Sequence, residues 1–180
     1  DEEGFYRLKT ASLTVNDVLA ALEDREHVSP RLVGLAANVF HTLDIIESID
    51  AVFDAKGQVR SNASPKLIHI REEMVRLRRA INRQFLKDLK RFKERGWLAD
   101  TNEGFINNRR VLAVNSTHKR KVTGTALGQS KNGSITFIEP AANVSLNFEM
   151  EMLIDDERKE ILRILRALTA QTRKHLPLFR

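Results

Sequence analysis

Residues 64–96 read SPKLIHIREEMVRLRRAINRQFLKDLKRFKERG, and the reading of this stretch decides the fold. Ser64 offers a side-chain acceptor at a helix cap, and Pro65 stands where no amide proton is needed. Leu67, Ile70, Met74, Leu77 and Ile81 then step by three and four, the spacing of a heptad seam. Phe85, Leu89 and Phe92 continue the seam, but two successive steps of four shift its phase, as a stutter does. Gly96 ends the pattern. A helix of this length, at about 1.5 Å per residue, spans roughly 45 Å, more than a compact domain of this size needs.

Downstream the period changes. Residues 97–104 read as a polar loop anchored by Trp97. Residues 110–114, 122–127 and 134–138 read as three short strands, with Asn132-Gly133 as a type I′ hairpin turn between the last two. Glu139-Pro140 closes the sheet and opens a helix, since an acid and a proline both suit a first turn. That helix runs over about 141–174 on a stripe of Leu146, Met150, Leu153, Ile161, Ile164 and Leu168. Upstream, Thr14 with Asp17 reads as one helix start and Ser29-Pro30 as another. Leu32, Leu35, Ala36, Val39, Phe40, Leu43 and Ile46 follow as a buried stripe, and Asp54–Gly57 reads as a turn. His41, beside the stripe, reads as a packed or partly exposed histidine and not as a ligand. The expected fold is mostly α: a helical core over 1–63, a long outgoing helix over 64–96, a small antiparallel β element over 97–140 and a returning helix over 141–180. The two long helices are expected to form an antiparallel pair.

Charge is placed unevenly. The chain carries a formal +6, yet residues 66–95 hold eleven Lys or Arg against four acids, and residues 104–131 hold six Lys or Arg and no acid. The remainder is therefore net acidic. A basic third of the sequence is the footprint of a polyanion partner, and its plainer reading is a solvated helix face plus a solubilising hairpin. Arg109, Arg110, Lys119, Arg120, Lys121 and Lys131 are the candidate nucleic-acid-binding residues, through phosphate contacts that carry no base readout.

Several chemistries lack their residues. Without cysteine there is no disulfide and no thiolate metal site. The five histidines, at 27, 41, 69, 118 and 175, are scattered, with no HxxxH pair, so no metal centre is expected. No Walker loop, dinucleotide-binding loop or nucleophile elbow is written here. No apolar run approaches the roughly 20 residues that cross a bilayer, and no signal peptide is visible, so a cytoplasmic location without membrane contact is expected. The start, Asp1-Glu2-Glu3-Gly4, lacks a Met, which leads to the expectation of a chain beginning inside a longer protein or following removal of a tag.

Residues 54–71, DAKGQVRSNASPKLIHIR, resemble the acidic turn and Ala-Ser-Pro-x-Leu-x-x-Ile-Arg opening of the lever helix in the MutS family. The likeness is to its second bacterial branch, the recombination-suppressing paralogue of mismatch-repair MutS. Gly133–Pro140 with Val144–Asn147 is similar to that branch's Phe-Ile-Glu-Pro signature, and Glu157–Leu165 resembles its returning helix. The resemblance covers about two thirds of the chain. It departs at Arg110–Asn115, where the family's strand reads Tyr-Val-x-Pro-Val-Lys, and at Leu127-Gly128, where the family has His-Asp. These mark a divergent member.

The resemblance implies a core, two lever helices and a clamp-like β tip from a parent protein whose ATPase domain lies further along the same chain. ATP and Mg would belong to that domain, and this segment would hold no cofactor and perform no catalysis. The parent would be a homodimer, with room for a separate nuclease domain, reaching round mismatched or branched DNA or ribosomal RNA. Two other readings remain open: a structural coupler whose basic surface faces acidic parts of its own protein, and a protein-binding coiled coil with no affinity for polyanions.

Overall fold

The computed structural model describes residues 2–24, 30–36, 39 and 42–175. Expectations placed on Ser29, Phe40, His41 and the side chain of Leu35 lie outside that description. The chain is mostly α with one small antiparallel sheet inserted between two long helices. It divides into two compact units, residues 1–69 with 157–180, and residues 70–156.

The first unit holds α1 (Glu2–Glu23), α2 (Pro30–Ala36), α3 (Leu43–Val52), the first turn of α4 (Pro65–Glu94) and the second half of α5 (Ala141–Thr172). Its core gathers Phe5, Ile45, Ile49, Phe53, Val59, Leu67, Ile164 and Leu168. The N-terminal reading needs two corrections. Thr14 does not start a helix but lies inside α1, where its hydroxyl donates back to the Thr10 carbonyl. The stripe expected from Leu32 to Ile46 is split between α2 and α3, and Leu32, Val39 and Leu43 are exposed. An apolar period is a guide only while one helix carries its phase, and α3 instead buries Ile45 and Ile49.

The turn at 54–57 is as expected. The Asp54 carboxylate accepts from the Lys56 and Gln58 amides at 2.8 and 2.9 Å, and Gly57 takes the left-handed φ of 75°. Ser64 caps α4, accepting from the Leu67 amide at 3.0 Å, while its own hydroxyl donates to Glu160 at 2.8 Å.

The second unit joins the rest of α4 to the sheet and to the first half of α5. Here Ile70, Met74 and Leu77 bury against Met150, and the Asn143 side-chain amide donates to the Ile81 carbonyl, so the two helices run antiparallel. Beyond the stutter, Phe85 and Phe92 leave the helix seam and pack with Leu112, Val114, Val122 and Ile138 of the sheet region. The phase shift therefore marks a change of packing partner, from helix to sheet.

The sheet has four strands, not three, in the order β1-β2-β4-β3: β1 (Leu98–Ile106), β2 (Arg109–Asn115), β3 (Gly124–Gln129) and β4 (Ile135–Pro140). The stretch read as a loop is mostly β1. It is an edge strand, half-exposed and interrupted by a bulge between Leu98 and Glu103 with Asn102 at φ 55°, so its sequence lacks a clean alternation. The type I′ signal was also read at the wrong hairpin. Asn107 and Asn108, both at positive φ, form the two-residue turn between β1 and β2, where Ile106 faces Arg109. At Asn132-Gly133 only Gly133 is left-handed, and the Asn132 side chain accepts from the Ser130 hydroxyl and the Ser134 amide. Gly124 is required by space: a Cβ there would lie 2.1 Å from the Glu139 carbonyl oxygen.

Candidate nucleic-acid interface

The six candidate cations do not form one group. Arg109 and Arg110 start β2, and the alternation of a strand sends neighbouring side chains to opposite faces. Arg109 donates to Glu139 at 2.9 Å and to Glu151 at 2.5 Å. Glu139 is fully buried, and its other oxygen accepts from the Asn147 amide at 2.6 Å. These carboxylates, Glu151 first and then Glu139, raise the Arg109 pKa above its ordinary value. Arg110 forms a two-pronged contact with Glu103, donates to Asn82 and lies 4.4 Å over the Phe85 ring. Both arginines are thus committed to contacts inside the second unit.

The other four candidates gather at the far end of β2. Asn115 lies six positions after Arg109, and at about 3.3 Å per residue that end lies roughly 20 Å away. Lys119, Arg120 and Lys121 sit in a short 3₁₀ segment, Ser116–Lys121, and all three are exposed. The segment is tied to the β3–β4 turn: the Ser116 amide donates to the Ser134 carbonyl, and the Ser116 hydroxyl donates to the Gly133 carbonyl at 2.7 Å. That turn carries exposed Lys131. The same end receives the α4–β1 junction, because the Asn115 amide donates to the Trp97 carbonyl at 2.9 Å.

Three residues outside the six candidates also stand here: Trp97, Arg95 and His118. The sequence favours Trp97 as a packing anchor over a base-stacking residue. Its ring does stack on Phe92, at 5.7 Å and 21° between planes, but it also has the Arg95 guanidinium 4.9 Å and the Lys121 ammonium 5.6 Å from its centroid. His118 stands 6.2 Å from the same ring, and its Nδ1 is buried with no hydrogen-bond partner among the described residues. Arg95 is two residues from Trp97, a signal visible in the sequence. Lys121 is brought there only by the fold.

In the first unit, Glu160 is the most perturbed acid. The Arg163 guanidinium, aided by Ser64, holds its carboxyl down at about 2 against the cost of burial. Among the described residues no group of three or more His, Cys, Asp or Glu could hold a metal ion, and no described helix is long and apolar enough to cross a membrane.

By fold, then, this is a helix pair carrying a small sheet with a basic end. By sequence, it is similar to one segment of proteins named endonuclease MutS2. It is 41% identical over 128 residues to that of Streptococcus equi subsp. equi, covering 71% of this chain and 16% of the relative. It is 30% identical over 172 residues to that of Streptococcus uberis, covering 93% and 21%. With the Streptococcus pneumoniae protein it shares 30% over 182 aligned positions, covering 96% and 22%. The chain thus spans about a fifth of the length of the curated relatives it matches. No family model matches it.

Proposed function

We propose that this chain is the core, lever and clamp-like segment of a MutS2-like protein, and that the basic end of its sheet holds nucleic-acid phosphates. The observation that carries this reading is the gathering of Lys119, Arg120, Lys121 and Lys131 on two loops tied together at Ser116, all exposed. Four cations at the end of a small sheet bind a phosphate backbone by charge, release counterions and read no sequence. The target is mismatched or branched DNA, or ribosomal RNA. The helix pair couples that contact to an ATPase elsewhere in a dimeric parent protein, which binds ATP and Mg and is itself cytoplasmic. Nothing catalytic is assigned to these residues.

The deciding experiment is a salt titration of nucleic-acid binding by the 180-residue chain. Reversing the charge of Lys119, Arg120 and Lys121 together should weaken binding and flatten the slope of log K against log[salt] by about 0.9 per contact on duplex DNA. An unchanged slope refutes the reading.

A second reading has its own support. Arg109 and Arg110 spend their charge on Glu139, Glu151 and Glu103, so part of the basic character is structural. If the wild-type chain is not retained on DNA or RNA at low salt, the segment is a coupler whose cations face its own protein.

A further inference from the structure

We infer that the phosphate contact is a composite site in which Arg95, from beyond the end of α4, and Lys121, from the 3₁₀ segment, are held together on the Trp97 ring to take the phosphodiester backbone of a nucleic acid. This inference rests on the nucleic-acid reading above and adds Arg95 and Trp97 to the residues which that reading names.

Arg95 and Lys121 lie far apart in sequence, yet both charges stand within 6 Å of one ring centroid. They are therefore close enough to repel across a Debye length of about 10 Å. The π face of the indole offsets part of that repulsion, and among the described residues neither cation is in an ion pair. Of the nearby acids of α4, Asp88 pairs with Arg91 at 2.7 Å, and exposed Glu94 stands 4.0 Å from Lys90. Two cations set on one ring and outside any ion pair among the described residues favour an anion beside them, and Lys119 and Arg120 add two more on the same segment.

The ring that carries the two cations is itself held in place. Trp97 is fixed by the Phe92 stack, by its amide donating to the Phe92 carbonyl and by its carbonyl accepting from Asn115. Lys121 is followed by Val122, which is buried in the core against the sheet. A backbone held on both sides of the site leaves only the side chains to be ordered on binding. Beside the same ring, the buried Nδ1 of His118 has no hydrogen-bond partner among the described residues.

Trp97 is the only tryptophan, so its fluorescence reports on this site directly. The test titrates the 180-residue chain with a short duplex DNA and with a duplex RNA of the same length, following ligand anisotropy and Trp97 emission together. Both signals should give one affinity. The double variant Arg95→Gln/Lys121→Gln should bind about tenfold or more weakly at low salt, with a slope on DNA shallower by about 1.8, from about 0.9 per cation. Arg166→Gln/Arg173→Gln, exposed outside the basic stretches and equal in charge change, should match the wild type, with circular dichroism confirming that both variants fold. A response to both duplexes identifies the shared phosphodiester chemistry, and a response to one alone assigns its source. If the Arg95/Lys121 variant binds as its control does, or if anisotropy reports binding while Trp97 stays silent, this site is overturned while the nucleic-acid reading stands. If the wild type binds neither duplex, the reading itself fails.

Discussion

Replacing Arg109 by alanine separates a structural arginine from a nucleic-acid ligand. The Glu139 carboxylate is fully buried and has two protein partners, the Arg109 guanidinium at 2.9 Å and the Asn147 amide at 2.6 Å. The Arg109 pair with half-exposed Glu151 adds little, because an exposed partner is screened by water. The Glu139 pair is different. Its removal leaves a charge with no water to accept it and one neutral donor, a loss of about 3–5 kcal/mol. A domain is stable by only about 5–15 kcal/mol, so much of the second unit's margin would go. Converted at about 2–4 °C per kcal/mol, R109A should lower the melting temperature read from Trp97 fluorescence by roughly 6–20 °C. Arg109→Ala/Glu139→Gln, which removes the stranded charge and leaves a neutral amide beside Asn147, should recover more than half of the loss. If R109A keeps its stability within about 1 kcal/mol and instead weakens nucleic-acid binding, the assignment of Arg109 to the interior is wrong.

Other perturbations test the remaining supports. Ser64→Ala removes the cap of α4 and a donor to Glu160, and should cost about 1–3 kcal/mol in urea unfolding, from about 1 for the cap and a further 0–2 for the carboxylate contact. Glu160 titrates at about 2 when folded, below the 4.5 of a free side chain, so its contribution is whole above pH 4.5 and fades as pH falls toward 2. Arg163→Met should flatten that acid limb of the stability curve and leave the limb near neutrality unchanged in shape. Gly124→Ala places a methyl 2.1 Å from the Glu139 carbonyl, so β3 must part from β4, and amide exchange should show the 124–129 hydrogen bonds losing protection.

The long helices were legible because their sequences state both cap and period. Ser64-Pro65 was enough to place the start of α4, and the seam from Leu67 to Phe92 gave its buried face. The stutter was legible as a phase shift but not as a change of partner, since only the packing shows Phe85 and Phe92 turning to the sheet. β1 escaped because an edge strand with a bulge needs no apolar alternation, and its pairing is a property of β2 as much as its own. The Asn132-Gly133 dipeptide outweighed Asn107-Asn108 because glycine is the commoner signal for positive φ, yet asparagine also takes that conformation.

Charge was legible in amount but not in address. The acid-free window opened at Gly104, one residue after Glu103, the partner of Arg110, and it closed before Glu139 and Glu151, the partners of Arg109. Two of its six cations were therefore already paired by carboxylates just outside the count. What is left for a polyanion is Lys119, Arg120, Lys121 and Lys131, joined by Arg95 across the Trp97 ring. The distinction has a measurable form. Six contacts in the window predict a slope near 5 on duplex DNA, at about 0.9 each, and all six arginines and lysines should then contribute alike. The folded arrangement predicts that neutralising Lys131 lowers the slope by nearly one unit. Arg110→Met should leave the slope where it was, because its charge is spent on Glu103 and its packing on Phe85.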